Sequence, residues 1–228
     1  LQYHSLQKIK NNHRFIVCMS DKNLGPVIME RATYLRKCLD DHLICPRTYV
    51  RLNAEEATQK VLSTRCTLNQ VRLDRRKDLT EAENQYFQRA AKLVDYRIPQ
   101  FYLTIKIHKS PWKTRPIVSC INSYLNVFSK WLDYRFKELL RHSPTYIKDS
   151  FQVLRELKEL NLSSHARLFT CDAVSMYTNI NSTHGIHIIS SWFGDYQEEI
   201  PADFPQALFL KILRIVMTLN VFQLDDTY

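Results

Sequence analysis

FYLTIKIHKSPWKTRPIVSC, residues 101–120, decides how the rest of the chain is read. Phe101, Leu103, Ile105 and Ile107 alternate with Tyr102, Thr104, Lys106 and His108, the period of two that turns one strand face to a core and the other to water. A strand is expected from Phe101 to Lys109. Ser110 and Pro111 then make a turn, and Arg115 to Cys120 returns as a second strand whose Pro116, lacking an N–H, belongs at a sheet edge. The stretch is a β-hairpin, and it gathers Lys106, His108, Lys109, Lys113 and Arg115 around Tyr102 and Trp112. Arginine at a strand start suits a triphosphate, because its planar fork donates paired hydrogen bonds and stays charged. Lys113 reads equally well as a charge that keeps a sheet edge from pairing with another chain.

Toward the N-terminus a similar pattern recurs. Phe15 to Met19 reads as a strand, Asp21 to Gly25 as a turn and Pro26 to Met29 as the return strand, with the early glycine where a turn needs it. Lys22, in that turn, is a further candidate for phosphate contact. Helices are expected at Thr33 to Leu43, at Asn53 to Leu73 and at Thr80 to Val94. The second and third open on capping boxes, Asn53 with Glu56 and Thr80 with Glu83.

Toward the C-terminus, Leu125, Phe128, Leu132, Phe136 and Leu139 recur at helical spacing and predict an amphipathic helix from Asn122 to about Arg141. Ser150 to Leu160 and Thr183 to Trp192 read as helices, and Arg167 to Asp172 as a buried strand. The apolar run from Phe204 to Phe222 carries Lys211 and Arg214 near its centre, where a bilayer would penalise each charge, so it is an amphipathic helix and no membrane partner is expected. Hairpins among helices indicate the α+β class.

Composition narrows the chemistry. The 228 residues carry 32 lysines and arginines against 23 acidic residues, a formal charge of +9 that favours a polyanionic partner. Only three glycines are present, so P-loop, dinucleotide-binding and kinase glycine loops are excluded, and phosphates must meet side chains. The six cysteines show no C-x-x-C pair and no zinc-ligand spacing, so they read as reduced intracellular thiols, with a nuclear or cytoplasmic location expected. His184 and His187 could share a helix face as metal ligands, but no third ligand is near in sequence, and surface or core histidines are the simpler reading.

FTCDAVSMYTNI, residues 169–180, sets Asp172 at the end of an apolar run with Tyr177 five positions on. Nucleotide polymerases hold two magnesium ions on carboxylates at strand ends, which activate the primer hydroxyl and stabilise the leaving pyrophosphate. A carboxylate capping the following turn fits the same spacing.

Taken in order, DKNLGPVI (21–28), FYLTIKIHKSPWKTRPIVS (101–119) and FTCDAVSMYTNI (169–180) resemble reverse transcriptases, most closely those of Penelope-like retroelements. The resemblance implies a polymerase right-hand fold: an N-terminal extension over 1–13, a fingers region with a helical insertion over 14–121, and an incomplete palm with an antiparallel sheet over 122–228. It implies RNA-directed DNA polymerase chemistry with an RNA template, a DNA primer and dNTP. Asp172 would be the first metal-binding aspartate and Ala173 would offer its carbonyl to Mg2+. Ser175 would present its backbone amide to the triphosphate, and Tyr177 would lie beneath the sugar and exclude a 2′-hydroxyl, core packing being the alternative for that ring. Arg115 would contact the nucleotide phosphates, with Lys22, Lys106 and Lys109 as further contacts.

Two departures stand out. Asn181 occupies a position where the family has proline. The glutamine-glycine-methionine-glycine segment and the tyrosine-x-aspartate-aspartate hairpin are not in the sequence, and Asp225 and Asp226 read as a turn. The two-metal Mg2+ site is therefore expected to be incomplete and this chain inactive alone. The competing readings are a non-catalytic nucleic-acid-binding remnant, a telomerase-type polymerase without its RNA-binding extension, and, most remotely, a thiol enzyme.

Overall fold

A computed structural model describes residues 7–8, 11–45, 48–92, 96–143, 145–174 and 176–228. They form a mixed α and β chain with two small antiparallel sheets, as the hairpin patterns require. The chain divides into two compact units, one of residues 1–66, 93–126 and 220–228, the other of residues 67–92 and 127–219.

In the first unit β1 (Phe15–Met19) pairs with β2 (Pro26–Glu30) and β3 (Gln100–Lys106) with β4 (Lys113–Ser119). A bridge from Ser20 to Ile105 sets the end of β1 beside β3. The alternation in β3 does what its spacing dictates: Phe101, Leu103 and Ile105 are buried, and Tyr102 faces solvent. The strand stops at Lys106, three residues earlier than expected, because the Lys109 N–H turns back to the Lys106 carbonyl, and Ile107 is left exposed. Pro116 faces Leu103 on the edge strand, where its missing N–H is tolerated.

Helix α1 (Arg31–Cys38) widens into a π-helical segment over Leu39–Leu43 and contributes Tyr34 and Cys38 to the core. Tyr34 accepts the Leu103 backbone N–H at 2.9 Å, which ties helix to strand. Burial pushes the Tyr34 phenol and the Cys38 thiol each up to about 12. Leu224 closes this core, with Phe222 packed against it. Asp225 and Asp226 occupy the turn expected of them, between the bridged residues Leu224 and Thr227, and Asp225 is ion-paired to Arg31. Helix α2 (Ala54–Asp74) begins with the predicted box: the Glu56 N–H donates to Asn53 Oδ1 and the Asn53 N–H to Glu56 Oε2.

The second unit is helical, built from the end of α2 (from residue 67), α3 (Glu81–Ala91), α4 (Tyr124–Leu139, from residue 127), α5 (Ser150–Glu159), the single turn α6 (Met176–Asn179), α7 (Ser182–Asp195) and α8 (Gln206–Thr218). The predicted cap of Thr80 with Glu83 forms on α3, and the structure adds Asp149 and Asn181 as caps of α5 and α7. The core is aromatic: Phe209 lies 4.7 Å from Phe136, 5.4 Å from Phe204 and 5.7 Å from Phe193, ring centre to ring centre. Within it a buried ion pair joins Glu83 to Arg135, at 2.7 Å between Oε1 and Nε.

One expectation fails here. Residues 167–172 form no strand, and Leu168, Phe169, Val174 and Tyr177 are exposed. The expected antiparallel sheet of the 122–228 region is likewise not formed among the described residues, which hold only isolated bridges there. The reason is pairing: a strand's N–H and C=O groups need a neighbouring strand, and the strands present are already paired as two hairpins in the other unit. An apolar run specifies burial, and no paired edge is available in its own unit to receive it.

Candidate functional site

The first unit concentrates cationic side chains on one sheet face. In the register of β3 with β4, Lys106 faces Lys113 and Thr104 faces Arg115, so all four project to the same side. Like charges directly opposite across an antiparallel pair are destabilising, so the Lys106–Lys113 position favours an anion between them. Lys109 sits in the turn beyond, exposed.

Arg115 is not left loose. Its Nη1 lies 3.2 Å from Asp21 Oδ1, which brings the turn after β1 to the start of β4 across 94 positions of sequence, and the guanidinium keeps about half its surface open. Asp21 is buried, and its second oxygen, Oδ2, has no hydrogen-bond partner; nor has the buried hydroxyl of Thr104, the residue facing Arg115. The tethered guanidinium holds N–H donors in a fixed direction at an open face, the geometry that binds phosphate or carboxylate oxygens. Asp21 is the residue that sequence reasoning missed; its adjacency to Lys22 in DKNLGPVI was its only signal.

Lys22 is exposed in the same turn, with φ 60° and ψ 28°, and Asn23 follows at φ 55°. Left-handed backbone at residues other than glycine costs on the order of 1–3 kcal/mol each and points to a positional demand. Gly25, at φ 102°, takes the remaining conformation that only glycine adopts freely.

The hairpin tip is anchored. Trp112 receives the Lys37 ammonium 4.9 Å from its ring centre, and the Thr114 hydroxyl lies 2.7 Å from His42 Nε2 and donates to Asp41. Burial lowers the His42 pKa, with Lys37 and Lys106 adding to the effect and Asp41 opposing it. Beside the tip runs a groove of about 490 Å³ whose walls include Val27, Met29, Ile105, Ile107 and Trp112, with Lys109 at the rim. An apolar trough next to fixed cations can seat a flat or sugar-like body while its phosphates meet the side chains.

The second unit carries the remaining candidates. Asp172 and Ala173 lie exposed on irregular backbone, and the Asp172 carboxylate has no hydrogen bond or ion pair among the described residues. Tyr177 stands on α6 with 87% of its surface exposed, which removes core packing as its role in this structure. The Asn179 amide ties that turn by donating to the Val174 carbonyl at 2.9 Å. Ser175 lies outside the described residues.

A two-metal Mg2+ centre needs several carboxylates within coordination distance. Among the described residues no group of three or more histidines, cysteines, aspartates or glutamates could hold a metal, so Asp172 and Ala173 do not by themselves fit that centre, and His184 and His187 gain no third ligand. All six cysteines are thiols. Among the described residues no helix is long and apolar enough to cross a membrane.

Compared with protein-family models, with curated proteins and with solved structures, the chain finds no match in any of the three.

Proposed function

We propose that this chain belongs to an RNA-directed DNA polymerase of the reverse transcriptase kind, in a right-hand fold in which the two-hairpin unit acts as fingers that grip the incoming nucleotide. The observation that carries the reading is the Arg115–Asp21 pair: two strings that resemble the family, one around residue 21 and one around residue 115, meet at a single open guanidinium. Arg115 engages the triphosphate, Lys22, Lys106 and Lys109 add charge, and the apolar trough beside the hairpin tip lies against the rest of the nucleotide. By the resemblance, Asp172 and Ala173 would supply part of a Mg2+ site, Ser175 would give an amide to the triphosphate, and Tyr177 would discriminate against a 2′-hydroxyl. RNA template and DNA primer are the partners this assigns. One carboxylate does not make a two-metal centre.

The test is binding of a fluorescent deoxynucleoside triphosphate to the purified chain. Arg115→Ala should weaken it by about 10- to 150-fold, the equivalent of the 1.5–3 kcal/mol typical of a hydrogen bond to a charged group. Equal binding by the variant and the parent chain would remove the reading. On a primed RNA template the purified chain alone should extend no primer.

A second reading, a nucleic-acid-binding remnant without catalysis, is favoured by one observation, the exposed 167–174 segment, which joins no strand. It is separated from the first by ligand: a remnant binds RNA and ignores the triphosphate.

A further inference from the structure

The groove between α7 and α8, within the second unit, is unlike the usual solvated helix surface. It encloses about 460 Å³, and three cationic or protonatable side chains line it: His187 from α7, and Lys211 and Arg214 from α8. Two hydroxyl groups, Thr183 and Ser190, join them from α7, spaced four and three residues from His187 so that all three share one helix face. The floor includes Ile186, which is buried, and Leu210.

Charge balance is what sets the place apart. Lys211 and Arg214 are three residues apart, about 5–6 Å between Cβ atoms, where like charges repel. Helix α8, QALFLKILRIVMT, has no acidic residue to offset them, and α7 has only Asp195 at its last position. Neither Lys211 nor Arg214 forms an ion pair among the described residues, although both are exposed. A surface built for solubility intersperses the two signs. Here donors of one sign converge over an apolar floor with the carboxylates left out, which is the composition of an anion site: a guanidinium fork, an ammonium and hydroxyls for the oxygens.

We infer that the α7–α8 groove binds a phosphate group, held by Lys211 and Arg214 with His187, Thr183 and Ser190 as further donors. Two sources share this chemistry, the backbone of a nucleic acid and free phosphate. The site lies in the helical unit, uses none of the residues assigned to nucleotide binding, and does not depend on the polymerase reading.

The experiment pairs two probes on the whole chain. A fluorescein-labelled 12-nucleotide single-stranded RNA is titrated by anisotropy at several salt concentrations, and the methyl resonances of Ile186 and Leu210 are followed with that RNA and separately with inorganic phosphate. Lys211→Gln/Arg214→Gln removes two exposed charges without touching the core. Each phosphate contact on a single strand contributes about 0.7 to the slope of log K against log salt, so the double variant should lower the slope by about 1.4 and the affinity at 0.1 M salt by up to about 25-fold. Lys148→Gln/Lys158→Gln, an equal charge loss on and beside α5, should leave the slope nearer the parent value. RNA-induced methyl shifts lost in the Lys211/Arg214 variant assign the backbone as source. Saturation by inorganic phosphate alone, also lost in that variant, assigns free phosphate. Methyl resonances unmoved by both probes, or an equal loss in the α5 control, would overturn the inference.

Discussion

Arg135→Met should lower the unfolding free energy by about 3–5 kcal/mol, the range for breaking a buried ion pair from one side. The structure explains why the high end of mutational effects is reached. Arg135 Nε and Nη2 donate to the two Glu83 oxygens at 2.7 and 2.8 Å, and both side chains are under a tenth exposed. Glu83 Oε1 also takes the Trp131 indole N–H at 2.5 Å, and Oε2 the Thr80 backbone N–H at 2.8 Å, so the carboxylate is fixed to the α3 cap and cannot swing out to water. Without the guanidinium a buried anion remains. At about 2–4 °C per kcal/mol for a chain of this size, the midpoint should fall by about 6–20 °C. Urea titration followed by tryptophan fluorescence measures the free energy, and thermal melting followed by circular dichroism measures the midpoint.

The pH dependence gives a second readout. Burial alone would push the Glu83 carboxyl up, yet the hydrogen bonds from Arg135, Thr80 and Trp131 hold it below its ordinary value of 4.5. A carboxyl depressed in the folded state stabilises fully above its unfolded value and loses that contribution as pH falls through the folded one. The parent chain should therefore lose stability below about pH 4.5, while Arg135→Met, already without the pair, should lose less over the same interval. The gap between the two must narrow in acid. A loss under about 1 kcal/mol at pH 7, or parallel profiles down to pH 3, would refute the assignment of stability to this pair.

Two further outcomes follow from the core of the first unit. Tyr34→Phe strands the Leu103 N–H and should cost about 1–3 kcal/mol, measured by urea unfolding; a cost near zero would mean that the strand finds another acceptor. Cys38, fully buried and with its thiol pushed up to about 12 by burial, should resist a disulfide reagent at pH 8 in the native chain while exposed Cys66 and Cys171 react; native labelling of Cys38 by mass spectrometry would contradict that packing.

The sequence was most legible where periodicity and capping are local. Phe101, Leu103 and Ile105 alternate into a core, and Asn53–Glu56 and Thr80–Glu83 open their helices as their spacing requires. Strand limits were less legible, since β3 ends on a turn hydrogen bond that no pattern announces. The 167–172 run failed for a different reason: its apolar residues specify what a strand would bury but carry no information on whether a partner edge exists. The Glu83–Arg135 pair was equally hidden, because a glutamate that serves as a cap looks the same whether or not an arginine 52 positions away reaches it.

The hairpin unit is where local rules are broken together. Lys22 and Asn23 adopt left-handed backbone, Lys106 faces Lys113, and Asp21 and Thr104 each bury an oxygen without a partner, all within the elements that converge on Arg115. The features cost from about 0.2 to 3 kcal/mol each, and a single substitution would remove several of them: glycine at 22, glutamine at 113, valine at 104. Natural sequences keep such violations chiefly where function compensates for them. An anion set over Arg115 would screen the lysine pair and draw on the same guanidinium that Asp21 orients. That ligand would offset the repulsion between Lys106 and Lys113, the one of these costs that an added negative charge relieves directly.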